Sequence, residues 1–237
     1  MSLILNIDTA LDTASISLAE DGKILFEDRN ETQKDHASWV QVAIKELMRK
    51  ADLGFQELHA VGISLGPGSY TGLRIGLSSA KGICYALDIP LITENSLKIM
   101  ALSAVIYLEI GEPELLMEKP AICPMIDAGR MEVFTAIYDT GLNELLQPQA
   151  LILEANSFEQ ALKRQKILFL GNGIMKFQPV CQNLNAIFKK MPLNPLALAT
   201  LTYKNFIGNN FADLPYTEPL YLKEFFTKKT EPKGKID

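Results

Sequence analysis

The residues best suited to chemistry in this sequence are a glycine-rich turn, GPGSYTGLRIG at 66–76, and two aspartates, Asp8 and Asp127, that each follow an apolar run. Glycine-rich turns that open a helix often bind phosphate, because their backbone amides point at the anion. Neither phosphate pattern is complete here, since Thr71 stands where GxGxxG needs a glycine and no lysine completes a Walker pattern. The sequence therefore predicts a turn in which Ser69 or Thr71 caps the helix, with a bound anion as the alternative.

Asp8 and Asp127 are candidates for a magnesium–phosphate site, because Mg²⁺ in proteins is commonly bound through carboxylates. The interval from Asp8 to Gly22 equals that from Asp127 to Gly141, and a strand, a tight turn and a hairpin are predicted around each aspartate. This repetition favours a duplicated α/β unit whose aspartates face each other across a cleft, the arrangement of actin-like ATPases. It also predicts the competing function, an actin-like ATPase or phosphotransferase. Two unrelated hairpins, with each aspartate capping its own turn, are the alternative.

The other motifs offer little chemistry. Gly171 and Gly173 follow a predicted strand. Glycines at this position would let an adenine lie close to the backbone, and a plain strand-to-helix turn is the alternative. The two histidines, His36 and His59, form no HxxxH pair, and no GxSxG nucleophile elbow is present. We predict no catalytic residue and no metal ligand in this chain.

The composition is that of an ordinary globular protein of one large or two small domains. Of its 237 residues 48% are hydrophobic, and the formal net charge is -5 with an isoelectric point near 5.2. An acidic chain is poorly suited to hold nucleic acid by itself, since phosphate neutralisation needs a basic face. No apolar run approaches the roughly 20 residues of a membrane helix, and no signal peptide is evident, so we expect a cytoplasmic protein.

Alternating strand and helix patterns predict an α/β protein of two lobes. Strands are expected at 3–7, 14–19, 23–26, 60–65, 90–92, 121–126, 132–138 and 166–170, and helices at 35–51, 71–87, 96–108, 157–164 and 196–206. The polar GEPE stretch at 111–114 is the expected linker. The chain is thereby divided into a first lobe at 1–108, a second lobe at 109–215 and a tail at 216–237, whose end we expect to be disordered.

The helix predicted at 71–87 has apolar or small residues on nearly all sides. Gly72, Gly76 and Ala80 repeat every four residues and form a smooth stripe, which lets a second helix approach closely. A helix that lies on its own sheet needs only one apolar face. The second face is therefore expected to bind a partner protein, with burial inside the chain as the alternative. On this hypothesis Gly76→Leu blocks pairing and leaves the subunit folded.

Together these motifs resemble the TsaB (YeaZ) family of bacterial tRNA threonylcarbamoyladenosine (t6A) biosynthesis subunits. The shared segments lie between residues 3 and 224 and are, in chain order, Ile7-Asp8-Thr9, His36, GPGSYTGLRIGLSSAKG at 66–82, IDAGRMEVF at 126–134, GNG at 171–173 and EPLYLKE at 218–224. The resemblance implies an α/β, actin/Hsp70-like (ASKHA, RNase H-like) fold, in which two duplicated lobes each contain a mixed sheet flanked by helices.

The resemblance also implies a function and partners. Members of this family are non-catalytic subunits that bind the catalytic paralogue TsaD and work with the ATPase TsaE and with TsaC. Together these proteins add threonylcarbamoyl to the adenosine 3′ of the anticodon in tRNAs that read codons starting with A. Pairing with TsaD, or of two copies in a homodimer, uses the helices at 35–51 and 71–87. No cofactor is required, ATP or ADP with magnesium is expected only weakly or at the complex interface, and tRNA is expected to bind only through the complex.

The resemblance assigns site residues to this chain. The expected partner contacts are His36, Trp39, Ala43, Gly72, Leu73, Gly76, Leu77 and Ala80, and the expected nucleotide contacts are Asp8, Thr9, Asp127, Arg130, Gly171 and Gly173. Val40 stands where the catalytic paralogue has the second histidine of its HxxxH metal motif. Two departures from the family pattern are Gly129-Arg130 in place of Arg-Arg and His36-Ala37-Ser38 in place of His-Ser-Glu.

Overall fold

The computed structural model describes residues 1–31 and 35–223, which form two five-stranded sheets with helices packed against them. The first half contains β1 (Leu3–Asp8), β2 (Ala14–Glu20), β3 (Lys23–Asn30), α1 (His36–Ala51), β4 (Ala60–Gly66), α2 (Tyr70–Leu87), β5 (Leu91–Asn95) and α3 (Ser96–Gly111). The second half contains α4 (Pro113–Met117), β6 (Ala121–Asp127), β7 (Glu132–Tyr138), β8 (Glu144–Ile152), α5 (Glu159–Leu162), β9 (Ile167–Leu170), α6 (Ile174–Phe177), β10 (Ala186–Lys189) and α7 (Pro195–Ile207). Every helix in the described ranges is too short or too polar to span a lipid bilayer.

The two sheets have the same strand order, which confirms the predicted duplication. The first sheet runs β3-β2-β1-β4-β5 and the second runs β8-β7-β6-β9-β10. In each sheet the first three strands pair antiparallel, and the last two extend the sheet in parallel pairs. Asp8 ends β1 and Asp127 ends β6, so the two aspartates occupy equivalent positions in the two lobes.

Apolar patterning accounts for the central elements. Every residue of β1 is buried, as expected for a strand covered by helices on both faces of its sheet. The stripe predicted for α1 is confirmed, because Val40, Ala43, Ile44 and Leu47 are buried in the core of the first lobe. A second core forms around α3, which packs on β6 and β7 and also contacts β4 and β5. Helix α3 therefore joins the two lobes.

Four regions differ from the sequence prediction. The expected linker at 111–114 is helical apart from Glu112, because Gly111 ends α3 and Pro113 begins α4, at a first-turn position that proline tolerates. Strand β8 escapes the sequence patterns, since it is a half-exposed edge strand that contains Pro148. Strand β10, at the opposite edge, and α6 have four residues each and are too short to leave a clear periodic pattern.

Helix α7 packs on the first sheet, although the sequence analysis places it in the second lobe. The Thr202 hydroxyl donates to the side-chain oxygen of Asn6 in β1 (2.6 Å), and the Asn205 amide donates to Glu94 of β5 (2.5 Å). The helix also lies against α3. The sequence assigns 109–215 to the second lobe without fixing which lobe this helix packs on, and in the structure the chain has already returned to the first lobe at α7.

The described part of the tail continues along the first lobe. The Ala212 amide donates to the Leu91 carbonyl (2.8 Å), and the Leu220 amide donates to the Leu65 carbonyl (2.8 Å). These backbone hydrogen bonds fix the segment at the edge of β5 and at the end of β4. The disorder predicted for the end of the tail concerns residues 228–237, which lie outside the described residues.

The small-residue stripe of α2 faces the interior of its own lobe, which corrects the expectation that the stripe binds a partner. Gly72, Gly76 and Ala80 are buried, and a Cβ at Gly72 would overlap the carbonyl oxygen of Thr9. A Cβ at Gly76 would overlap the hydroxyl of Thr9, which donates to the Gly72 carbonyl at 2.7 Å. The glycines therefore let α2 approach the loop after β1. We expect Gly76→Leu to damage the fold of the subunit, contrary to the hypothesis drawn from the sequence.

We expect Gly72→Ala to destabilise the folded subunit by about 1–3 kcal/mol, because the new methyl group meets a backbone oxygen that cannot rotate away. The matched control is Gly82→Ala in the same helix, where no atom lies within 4 Å of a new Cβ. Alanine at that position should stabilise the subunit by roughly 0.5–1 kcal/mol through its higher helix propensity. Urea denaturation measures both variants, and equal stabilities would contradict the packing described.

Candidate functional site: the outer face of α1 and α2, and the interlobe cleft

Hydrogen bonds from within the chain hold the glycine-rich turn. The Ser69 amide donates to the Ala10 carbonyl (2.7 Å), and the Ser69 hydroxyl accepts from the Gly72 amide (3.3 Å) as the cap of α2. A Cβ at Gly68 would overlap the same Ala10 carbonyl, so the glycine permits this close approach. The predicted serine cap is confirmed, and these contacts explain the glycines without a bound anion.

Most of the residues expected to contact a partner lie inside the first lobe. Seven of the eight are buried, namely His36, Ala43, Gly72, Leu73, Gly76, Leu77 and Ala80. The exception is Trp39, which is partly exposed and packs at the edge of the first core. Their own lobe largely shields these seven residues from a second protein, and the expected contact surface stays a prediction.

His36 connects the start of α1 to two other segments. Its ring nitrogens lie 3.4 Å from the Asn30 side-chain nitrogen and 3.4 Å from the Leu11 carbonyl oxygen. Within residues 1–31 and 35–223, no three side chains of the His, Cys, Asp or Glu type form a group that could hold a metal ion. The geometry thus gives His36 a structural position at the helix start.

Different residues form the outer face of α2. Thr71, Arg74, Ser78, Gly82 and Tyr85 are spaced three or four apart, lie on one side of the helix and are exposed. The Tyr85 side chain is 84% exposed, and the space next to Gly82 is open. Ser78 and Gly82 are small, and Tyr85 lies at the C-terminal end, so these residues form a shallow and accessible strip along this side of α2.

Helix α1 extends this strip. The Gln41 amide donates to the Ser79 hydroxyl of α2 (2.7 Å) and ties the two helices together. Next to it in α1, Val42 is 62% exposed. We call the surface formed by Val42, Thr71, Arg74, Ser78, Gly82 and Tyr85 the α1–α2 face. The sequence analysis predicted none of these six residues as partner contacts, although their helical spacing places them opposite the buried stripe.

One flank of α2 is covered by the C-terminal segment of the same chain. The Arg74 guanidinium donates to the Tyr221 hydroxyl (3.1 Å) and lies 3.9 Å above the Tyr70 ring. The Lys81 ammonium donates to the Pro215 carbonyl (3.1 Å). A second polypeptide is therefore not needed to cover this flank. Arg74 lies where the flank meets the α1–α2 face, and the rest of that face stays accessible.

Asp8 is a buried carboxyl. It accepts hydrogen bonds from the Ser64 hydroxyl (2.6 Å) and from the Ala10 amide (3.1 Å). Burial raises the pKa of Asp8 above its ordinary value of 3.8, and these two hydrogen bonds oppose the shift only in part. The carboxyl is thus engaged with its own lobe.

Asp127, the equivalent residue of the second lobe, has different surroundings. It is exposed and accepts hydrogen bonds from the Lys176 ammonium (2.5 Å) and the Gly129 amide (2.7 Å). Burial acts to raise the pKa of Asp127, but the hydrogen bonds from Lys176 and Gly129 outweigh it and hold the pKa below its ordinary value. The Gly129 bond confirms that this aspartate caps its own turn.

A cleft of about 490 Å³ lies between the lobes, and we call it the interlobe cleft. Its apolar walls come from the loop after β1, from α3 and from the segments after β9 and β10, and they include Leu11, Met100, Leu170, Ile174, Met175, Met191 and Leu193. Of the residues predicted to contact a nucleotide, Gly171 lines this cleft. Asp8, Thr9, Asp127, Arg130 and Gly173 do not line it. The structure therefore does not bring the predicted nucleotide residues together in the cleft.

Two lobes with one shared strand order, joined through α3 and separated by a cleft, define an actin-like two-lobed protein. The solved structure described as YeaZ from Pseudomonas aeruginosa has this fold. It superimposes with a TM-score of 0.73 over 94% of this chain and 100% of that chain, at 21% sequence identity.

Sequence comparison identifies the family. The family described as "TsaD: tRNA N6-adenosine threonylcarbamoyltransferase" matches residues 29–207. The tRNA threonylcarbamoyladenosine biosynthesis protein TsaB of Bacillus subtilis (strain 168) is 31% identical over 172 residues, which are 71% of this chain and 70% of that relative. The TsaB of Haemophilus influenzae (strain ATCC 51907 / DSM 11121 / KW20 / Rd) is 26% identical over 240 residues, 97% of each protein. The chain belongs to the TsaB (YeaZ) family.

We expect Asp8 to make stability fall as pH rises. Its pKa is higher in the folded protein than the value of 3.8 expected for the unfolded chain, so the folded state binds the proton more tightly. Stability associated with this group is present below about pH 4 and is lost as pH rises through the raised pKa. In Asp8→Asn this loss should be absent, so the variant should gain stability relative to the unmodified protein across that window.

Urea denaturation at a series of pH values measures this difference. Asp127→Asn is the matched control, because the pKa of Asp127 is lowered and the stability that it contributes is lost as pH falls. The two variants should therefore change the pH dependence in opposite directions. Parallel pH profiles for Asp8→Asn and the unmodified protein would contradict the burial of Asp8.

Proposed function

We propose that this chain is a non-catalytic subunit in t6A biosynthesis. In this role it helps to place threonylcarbamoyl on the adenosine 3′ of the anticodon in tRNAs that read codons starting with A, and it acts by binding TsaD. Support comes from membership of the TsaB family, whose curated relatives are named for t6A biosynthesis. The sequence also matches the TsaD family, so this chain and the proposed partner are related proteins. Related helix pairs on the two proteins would suit an interface with pseudo-twofold symmetry.

The observation that carries this proposal is the open α1–α2 face. Gly82 has no neighbouring atom within 4 Å of a Cβ position, so a partner helix can approach the backbone of α2 closely there. The exposed Tyr85 ring and the exposed Val42 side chain offer apolar contacts on the same helix pair. Tyrosine is enriched among the residues that dominate binding energy in protein interfaces.

The non-catalytic role is supported by what surrounds the residues that an actin-like enzyme would use. The loop after β1, where such enzymes place a phosphate loop, holds α2 through Thr9 and Ala10. Asp8 is buried against Ser64, and Val40 replaces the second histidine of the HxxxH metal motif of the catalytic paralogue. These residues stabilise the lobe instead of facing a substrate.

The remaining partners follow from the same role. TsaE and TsaC are proposed as functional partners through TsaD, and tRNA is proposed to contact the assembly rather than this subunit, whose net charge is -5. The α1–α2 face can also pair two copies of this chain, because related surfaces then meet across a twofold axis. The proposal predicts that such a homodimer competes with TsaD for one face.

The competing hypothesis of an ATPase that uses Asp8 and Asp127 makes a different prediction. It requires ATP with magnesium to bind the isolated chain and to be turned over. Isothermal titration calorimetry with ATP and Mg²⁺ distinguishes the two functions, and tight binding with turnover would overturn the non-catalytic role.

We expect Gly82→Leu and Tyr85→Ala to weaken the affinity for TsaD at least about tenfold, which corresponds to ~1.4 kcal/mol. Leucine at Gly82 blocks the close approach of a partner helix, and its Cβ meets no atom of its own lobe within 4 Å. Isothermal titration calorimetry with purified TsaD gives the dissociation constants. Gly111→Leu at the end of α3 is the matched control, since Gly111 also has open space around it.

The two glycine variants separate binding from folding. Circular dichroism should show an unchanged subunit in both cases, and only Gly82→Leu should lose affinity. If Gly82→Leu bound TsaD as tightly as the Gly111→Leu control, the α1–α2 face would not be the interface.

A further inference from the structure

Residues 218–223 have no role in the proposed function, although they belong to the EPLYLKE segment that carries part of the family resemblance. In the structure this segment lies against the glycine-rich turn. The Leu220 amide donates to the Leu65 carbonyl (2.8 Å), and the Leu220 carbonyl oxygen lies 2.8 Å from where a Cβ at Gly66 would be. Gly66 also has a φ of +120°, which glycine adopts without strain. The first glycine of the turn therefore makes room for the C-terminal segment.

Tyr221 attaches the segment to α2. Its hydroxyl accepts a hydrogen bond from the Arg74 guanidinium (3.1 Å), and its ring centroid lies 5.5 Å from that of the Tyr70 ring. The same guanidinium lies 3.9 Å above the Tyr70 ring. Because Arg74 also belongs to the α1–α2 face, this attachment lies at the border of the proposed binding surface.

Lys223 attaches the segment to the second lobe. Its ammonium forms an ion pair with the Glu132 carboxylate at the start of β7. The Glu132 side chain is only 18% exposed, so water competes less for this pair than for an ion pair on the open surface. The Glu132 carbonyl also accepts from the Lys176 ammonium (3.1 Å), which connects the pair to the turn at Asp127.

The two attachments are close together along the chain. Two extended residues span at most about 7 Å, so the chain from Tyr221 to Lys223 has little slack. Helix α3 also joins the lobes, and rotation of the second lobe about α3 would move Glu132 relative to α2. A connection this short cannot follow a large movement without losing one of its two attachments.

We propose that residues 220–223, which we call the interlobe tether, fix the position of the second lobe relative to α2, and that a partner on the α1–α2 face tightens this tether. A bound partner would exclude water from Arg74, and a hydrogen bond is stronger in less polar surroundings. The attachment of Tyr221 to Arg74 is thus favoured in the complex. Because coupling between two sites is reciprocal, the intact tether also raises the affinity for the partner. The coupling rests on the proposed function, whereas the tether itself does not.

Double electron–electron resonance in the free chain tests the tether. Nitroxide labels on Gln56→Cys in the first lobe and Leu184→Cys in the second lobe occupy exposed positions, and Cys181→Ser removes the native thiol that is not buried. Lys223→Ala should broaden the distribution of distances between the labels, because the second lobe loses its attachment. Sodium chloride at about 0.5 M should broaden it in the unmodified chain by screening the ion pair, and should add little in the variant.

Two further variants separate the tether from a general loss of charge. Lys166→Ala removes an ion pair with Glu118 (2.6 Å) that lies within the second lobe, so the distance distribution should stay narrow. Lys223→Arg keeps the charge and should also leave the distribution narrow. The tether would be overturned if Lys223→Ala left the distances unchanged, or if Lys166→Ala broadened them equally.

Isothermal titration calorimetry with purified TsaD tests the coupling. Lys223→Ala leaves every residue of the α1–α2 face in place, yet should weaken the affinity about two- to fivefold, the range expected for a partly exposed ion pair. Lys166→Ala and Lys223→Arg should bind like the unmodified chain. Equal affinities for all of these chains would overturn the coupling and leave binding to TsaD intact. If the unmodified chain did not bind TsaD, the proposed function would fail together with the coupling, and the distance measurements would still decide the tether.

Discussion

The close contact between Thr9 and α2 is the constraint on which the rest of the first lobe depends. The Thr9 carbonyl oxygen occupies the space that a Cβ atom at position 72 would need. The Thr9 hydroxyl donates a hydrogen bond to the Gly72 carbonyl, and the Ser69 amide donates one to the Ala10 carbonyl. These contacts fix how closely α2 packs on the loop after β1 and how the helix is rotated about its own axis. The rotation decides which residues of α2 face the solvent. The loop after β1 therefore has a steric role in positioning α2.

Equivalent positions in the two lobes have diverged in chemistry. Asp8 and Asp127 end matching strands, yet one is buried against Ser64 and the other forms an exposed ion pair with Lys176. A symmetric pair of metal-binding carboxylates needs both groups to be ionised and to face one space. The divergence instead assigns one aspartate to the core of its lobe and the other to a surface turn, although the two lobes share one architecture.

Much of the fold follows from local patterns, whereas the site does not. The stripe of Val40, Ile44 and Leu47 predicts α1, and the repeated interval from aspartate to glycine predicts the duplication. The pattern of α2 shows how many of its residues avoid water but not what covers them. Thr9 lies 63 positions before Gly72, and Pro215 lies 134 positions after Lys81, so no window of sequence around α2 contains its neighbours. The exposed side of α2 could be located only once the loop at Thr9 and the C-terminal segment at Pro215 were known to cover its other sides.

The return of α7 to the first sheet makes the first lobe discontinuous in sequence. Thr202 and Asn205 complete hydrogen bonds with Asn6 and Glu94, so the layer that closes the back of β1 and β5 is made more than a hundred residues after those strands. During synthesis at ≈ 5–20 residues per second, the N-terminal lobe must wait many seconds, its sheet uncovered on one side, until the ribosome releases α7. The strands of the second lobe are contiguous in the chain and end with β10 at Lys189, shortly before α7 begins at Pro195, so the two lobes are completed at nearly the same point of synthesis.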